Sequence, residues 1–437
     1  MIEQTRPRRR AVLGLAPAVL LAVNALPAIA AGSSPTSFTP VMPAPTGAYP
    51  IGRVMIHLVD RKRRDPWNPG RKRELMVTVT YPARATGGCP RGSWMTPTQS
   101  KALEGLNDYL GIAKGTVNWR GMLGHARVGA PVHRRRGGLP VVLVSHGVWG
   151  SREAHGAHTE DLASHGYVVV SIDHTFEAAA VEFPGGRVEV SAQRPSPELL
   201  KNIEFINKMM NARVADVRFV LDELERLDDG HNVDASRRPL PPGLPGSLDL
   251  RRTGMFGHSG GGFTTAEAMF HDRRIRAGIN LDGQMKPPFD GSYGQAAQRG
   301  LGRDRAFLLF GGGRLINPQG QIVNHNHVIG AANPTNDDTS WASFWKAHRG
   351  WKRDFTLRDG AHESFTDLQL LFRQVAEHWN LSVAAKLDPR IGVVAGGRSI
   401  LAQRTYIAAF FDLHLLGRDR HMLNGPSRHF PEIAFVP

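Results

Sequence analysis

The chain has 437 residues, of which 41% are hydrophobic and 21% charged, a balance ordinary for a globular protein able to bury one large core. Its formal net charge is +15, but no recognition motif or interleaved aromatic patch accompanies the basic residues, which argues against nucleic acid as a partner. Cys89 is the single cysteine, which excludes an intrachain disulfide and a lipid anchor at the end of a signal segment.

In chain order, Arg6, Arg8, Arg9 and Arg10 precede the apolar run AVLGLAPAVLLAVNALPAIA, and Ala28-Ile29-Ala30 offers small residues for cleavage. This pattern reads as an export signal over residues 1–30, and Arg9-Arg10 points to the twin-arginine route. The run reaches the roughly 20 residues that cross a bilayer, yet Pro17, Asn24 and Pro27 interrupt it. The expected mature protein is secreted or periplasmic, and no later segment is apolar enough to span. Residues 31–50, rich in Pro, Ser and Thr, read as a flexible lead-in to a domain over 51–437.

Within that domain the apolar runs predict strands over 51–59, 74–81, 140–146, 167–173, 252–257, 276–281, 305–310 and 353–358. Helices are predicted over 153–165, 196–227, 262–271, 339–348, 364–381 and 398–416. Strands alternating with helices imply an α/β fold with a mostly parallel sheet covered on both faces. The first two strands, joined by a polar loop, are expected to form its antiparallel edge. Insertions are expected at about 176–215 and 228–248; the first contains Pro184-Gly185-Gly186, a hairpin signal, and the second a Pro-rich loop. The basic residues are mainly scattered arginines, with clusters at 61–64 and 134–136. They read as the arginine habit of a high-GC genome, with transient contact to a lipid or polymer surface as the alternative.

The stretch TGMFGHSGGGFTTAEAMF (253–270) changes from strand to helix period at Ser259. Gly257-His258-Ser259-Gly260-Gly261 is a G-x-S-x-G sequence in its required strand–turn–helix context, where the glycines permit a sharp turn that exposes the hydroxyl. A serine hydroxyl needs a base within hydrogen-bond reach and a third group to orient that base. Asp282 closes the buried run ending at Leu281, and His362 follows the strand of RDFTLRDGAHESFTD. They are the candidate acid and base. Asp337 and Asp338, one strand later, are the alternative acids, although either also suits the start of the helix that follows. An oxyanion hole needs two backbone N–H groups; Gly260 supplies one, and Val148 in LVSHGVWG the other, with Trp149 as the near alternative and as a pocket wall. His325 and His327 lack a carboxylate or cysteine companion and read as loop residues, so neither a metal nor an organic cofactor is expected. The apolar stretch IEFINKMM (203–210) reads as a helix core face, or else as a contact for an interface.

From TGAYPIG through RRDPW, RELMVTVTYPA, LVSHG, DLASHGYVVVSIDHT, RVADVRFVLDEL, GHSGGG, NLDG and GAHESFTD to AAFFDLHLLGR, the sequence resembles the serine-dependent α/β-hydrolases of the platelet-activating-factor acetylhydrolase family, particularly their secreted bacterial relatives. The resemblance implies Ser259 as nucleophile, Asp282 as acid, His362 as base, and calcium-independent hydrolysis of short acyl esters, phospholipid acetyl groups among them. Gly260 departs from the bulkier residue of the animal enzymes. A carboxylic-ester hydrolase of small-molecule or lipid esters is thus expected. The rivals are an interfacial lipase or polyester hydrolase, an acyltransferase, and a non-catalytic binding protein on the same fold.

Overall fold

Val141, Val142, Leu143 and Val144 account for the layering in four residues. Successive strand side chains point to opposite faces; Val141 and Leu143 enter one core, while Val142 and Val144 enter another. The same split recurs at Met255 and Phe256, and at Phe307 to Phe310. The computed structural model describes residues 37–193, 196–200, 202–285, 294–316, 322–323 and 340–436.

Its strands are β1 (Ile51–Arg64), β2 (Lys72–Pro82), β3 (Arg91–Ser93), β4 (Leu123–Val128), β5 (Leu139–Ser145), β6 (Val168–Asp173), β7 (Ala180–Glu182), β8 (Val188–Val190), β9 (Leu248–His258), β10 (Ile275–Leu281), β11 (Ala306–Gly312), β12 (Leu315–Ile316), β13 (Ile322–Val323), β14 (Lys352–Leu357) and β15 (Ile433–Val436). Among the described residues one 11-stranded sheet runs in the order β15-β14-β11-β10-β9-β5-β6-β2-β1-β4-β3. The stretch from β14 to β6 is parallel throughout. Register aligns Ser145 with Gly257 and Leu281 with His258, so β5, β9 and β10 end together at the middle of the sheet.

The helices are α1 (Pro97–Leu110), α2 (Gly156–Ser164), α3 (Pro197–Leu200), α4 (Ile203–Asp228), α5 (Gly260–His271), α6 (Gln295–Arg299), α7 (Ser340–Ala347), α8 (Leu368–His378), α9 (Ala384–Ile391) and α10 (Gly396–Leu416). Val217, Val220 and Leu224 of α4, Met269 of α5 and Phe344 of α7 cover one face. Leu162 of α2 and Tyr406, Phe410 and Phe411 of α10 cover the other. Each fully buried aliphatic or aromatic side chain contributes about 1.5–3 kcal/mol, so the two layers fix the central strands firmly.

The expected mostly parallel, doubly covered sheet is present, and so is the hairpin, as β7 paired with β8 across Gly185 and Gly186, both at positive φ. Three expectations need correction. The antiparallel pair β1 and β2 is not the edge, because β4 pairs with β1 and β3 with β4 beyond it. The helix expected over 196–227 is two helices, since Asn202 in extended conformation caps α4 by accepting the Phe205 N–H. Residues 37–50 are no flexible lead-in. The Arg404 guanidinium holds the carbonyls of Pro43 and Ala44, Asp161 accepts from the Thr46 N–H, and Met42 is buried. The segment expected to be an export signal, with residues 31–36, lies outside the described residues.

Candidate active site

Ser259 stands between β9 and α5 at φ +55° and ψ −122°, a strained conformation for a residue with a β-carbon. The neighbouring glycines make the turn possible. A β-carbon at Gly257 would lie 2.3 Å from the Gly261 carbonyl, one at Gly261 1.9 Å from the Ser145 oxygen, and one at Gly262 1.9 Å from Asn280 Oδ1. The Ser259 N–H donates to Leu281 O at 2.9 Å, which ties the turn to the end of β10.

Asp282 follows β10 directly, also at positive φ (+54°), and its N–H donates to Phe310 O. Asp282 Oδ1 accepts the Gly312 N–H at 2.7 Å, and Oδ2 lies 2.6 Å from His362 Nδ1. The carboxylate is buried, while the His362 side chain is 36% exposed at the start of a short 3-10 turn, His362–Phe365. Partial burial pushes the His362 pKa down, but the hydrogen bond and charge of Asp282, with the Glu363 charge, outweigh it and leave it above the ordinary imidazole value. Nδ1–H facing a carboxylate leaves Nε2 as the acceptor, the tautomer a base requires. Among the described residues the Ser259 hydroxyl makes no hydrogen bond; such bonds commonly tighten only with substrate present.

The loop after β5 brings Val148 against the elbow, since a β-carbon at Gly260 would lie 3.5 Å from Val148 N and 2.6 Å from its Cγ2. Among the described residues neither the Val148 nor the Gly260 N–H donates a hydrogen bond within the chain. Both N–H groups lie beside the elbow serine. Val148 and Trp149 pack on Phe205, Ile206, Met209 and Met210 of α4 and Phe263 of α5. The stretch 203–210 is therefore a core face, and it forms the apolar wall beside the elbow.

Two residues escaped sequence reading. Asn280 closes the acid's turn by accepting the Gly283 N–H at 2.8 Å and donating to its carbonyl at 2.7 Å. The signal was a polar residue inside the buried run INLDG. His258 donates from Nε2 to the His362 carbonyl at 2.8 Å, with the two rings 4.6 Å apart. Burial, then the nearby His362 and His155, hold its pKa well below the usual range, so it stays neutral. Among the described residues no three His, Cys, Asp or Glu side chains are grouped to hold a metal ion. Asp337, Asp338, His325 and His327 lie outside the described residues.

Comparison with known proteins bears on the family and the fold. The model of the family described as platelet-activating factor acetylhydrolase, isoform II, matches residues 36–407. A probable 1-alkyl-2-acetylglycerophosphocholine esterase of Arthroderma benhamiae is 28% identical over 93% of this chain and 96% of its own. The platelet-activating factor acetylhydrolase of Canis lupus familiaris is 29% identical over 44% of each chain. Among solved structures, a ferulic acid esterase from Streptomyces cinnamoneus superposes with a TM-score of 0.69 at 32% identity, covering 92% of this chain and 100% of that one.

Proposed function

The chain belongs to the platelet-activating factor acetylhydrolase isoform II family and is a carboxylic-ester hydrolase of α/β-hydrolase fold; from that premise we propose that it cleaves acetyl and other short acyl esters through a Ser259 acyl-enzyme. The observation that carries this reading is the 2.6 Å contact between His362 Nδ1 and Asp282 beside an elbow serine at positive φ. His362 Nε2 takes the proton as Ser259 Oγ attacks the ester carbonyl. The N–H groups of Gly260 and Val148 receive the developing oxyanion. His362 then protonates the leaving alcohol, and a water, deprotonated by the same imidazole, releases the acid and restores the serine. No step calls on a metal or an organic cofactor. The protein works outside the cytoplasm, directed there by the arginine-led N-terminal segment; among the described residues no helix is long and apolar enough to cross a membrane.

A second reading, hydroxycinnamoyl esters, draws support from the Streptomyces esterase and from the aromatic wall of Trp149, Phe205 and Phe263. A panel of nitrophenyl acetate, butyrate, octanoate and ferulate, run with and without chelator, separates the two. The expected outcome is preference for the shortest esters, indifference to chelation, and loss of both turnover and fluorophosphonate labelling in Ser259→Ala. Labelling of that variant at the wild-type rate would overturn the serine assignment. N-terminal sequencing of exported material should find a start near Ala31.

A further inference from the structure

The loop that offers the Val148 N–H is fastened by a fully buried cation from a distant helix. Arg213 of α4 has no exposed surface. Its Nη1 donates to the His146 carbonyl at 2.7 Å and its Nη2 reaches the Gly147 carbonyl at 3.4 Å. Nη1 also lies 3.3 Å from Ser145 Oγ and 3.5 Å from Thr264 Oγ1, the latter one turn into α5, where its hydroxyl donates to the Gly260 carbonyl. Nε donates to Glu177 Oε1 at 2.5 Å, which supplies the counter-charge.

The Gly147 carbonyl and the Val148 N–H are two ends of one planar peptide group. A cation bonded to the oxygen draws electron density toward it and makes the N–H at the other end a stronger donor, the cooperative strengthening seen in hydrogen-bond chains. The plane is held by further donors. His146 Nδ1–H donates to the same Gly147 oxygen at 2.6 Å and the Gly150 N–H at 3.0 Å. Arg213 is itself held in place. Arg73 keeps Asp216 ionised, Asp216 takes the His174 Nδ1–H at 3.0 Å, and His174 Nε2 therefore accepts the Ser145 hydroxyl at 2.9 Å. The Ser145 lone pairs are thereby turned toward Arg213. This Asp–His–Ser series has the connectivity of a catalytic triad, but Ser145, His174 and Asp216 are wholly buried and reach no substrate.

We propose that Arg213 is a positioning residue of the ester hydrolysis: through the Gly147–Val148 peptide it aims and polarises one oxyanion donor, and through Thr264 it keeps that loop in register with the helix carrying the other. The proposal rests on the reading of Val148 and Gly260 as those donors. Loss of one oxyanion donor costs about 10²–10³ in kcat, and a residue acting on the donor at one remove is expected to cost about 10- to 100-fold.

The test compares Arg213→Met and Arg213→Lys in the mature full chain. Its readouts are kcat and KM on nitrophenyl acetate, the inhibition constant of an alkyl trifluoromethyl ketone, whose serine adduct places an oxyanion in the hole, and the pH dependence of kcat/KM. Arg213→Met is expected to lower kcat by about 10- to 100-fold and ketone affinity in parallel, with KM and the acid limb set by His362 unmoved. Arg213→Lys keeps the charge beside Glu177 but cannot span both carbonyls, and is expected to lose less of both. If the Met variant does not fold, the Lys variant decides: wild-type kcat and ketone affinity would overturn the proposal. A folded Met variant whose kcat falls with ketone affinity intact would overturn it as well. Ser259→Ala run alongside separates the two levels. Turnover surviving in that variant sinks the functional reading, whereas a dead Ser259→Ala beside unaffected Arg213 variants sinks only this inference.

Discussion

Asp282 decides both the protonation and the aim of His362, so its removal is the most informative single change. Asp282→Asn leaves partial burial as the dominant influence on the imidazole, and its pKa drops. A base must be neutral to act, so wild-type activity falls as pH drops through the raised pKa, and the variant's acid limb should shift to lower pH. Turnover should also fall, by on the order of 10⁴. Profiles of kcat/KM across about pH 5 to 9 check both parts; an unmoved limb with near-normal turnover would transfer the acid's role elsewhere. The sign for stability is the reverse of the usual carboxylate case. A histidine pKa raised in the fold stabilises it fully below the unfolded value near 6.5, and that contribution is lost as pH rises through the folded value. Gly260 poses a finer question, since the β-carbon of an alanine there would meet Val148 Cγ2 at 2.6 Å. Gly260→Ala should keep its melting temperature but lose about tenfold in kcat as Val148 is pushed aside. Ser259 and Asp282 were legible as candidates because each closes an apolar run, and His362 because it lies in the short loop after one. Arg213 and Glu177 were not, because a buried ion pair between positions 36 apart leaves no local pattern.

At the scale of elements, α5 does more than follow the elbow. Its Glu267 is fully buried, Oε1 accepts the Ala296 N–H of α6 at 2.9 Å, and burial pushes its pKa up to about 7 despite that bond and one from the Gln295 backbone. Folding favours the protonated form of such a carboxyl. Its stabilising effect is full below the unfolded value near 4.3 and disappears as pH rises toward about 7. Glu267→Gln, neutral at every pH, should therefore melt progressively higher than wild type across that window, the gap reaching on the order of 3 kcal/mol. Melting curves at fixed salt test this, and a pH-independent difference would refute it. The elements that sequence reading missed have a common cause. In β4 the buried positions are Gly124 and Ala126, so a strand of ordinary alternation shows no hydrophobic contrast. β3 is only three residues long, and two of them, Arg91 and Ser93, have register partners in β4.

Over the whole molecule the long parallel sheet was readable because its strands are continuous apolar runs, buried on both faces. The strap formed by residues 37–50 was not, since its Pro-rich composition hides contacts made through backbone carbonyls. The informative comparison is between chains started at residue 37 and at residue 51. One started at 51 strips two acceptors from the buried Arg404 guanidinium; unmade buried hydrogen bonds cost about 1–3 kcal/mol each, and differential scanning fluorimetry should register the drop. The strap also orders events during synthesis. Pro43 and its anchor Arg404 are 361 positions apart, and chains grow at about 5–20 residues per second. Pro43 and Ala44 thus leave the ribosome on the order of tens of seconds before the helix that bonds their carbonyls, and this contact closes only when nearly all of the chain has been made, whereas Phe38 and Thr46 find Thr116 and Asp161 much sooner.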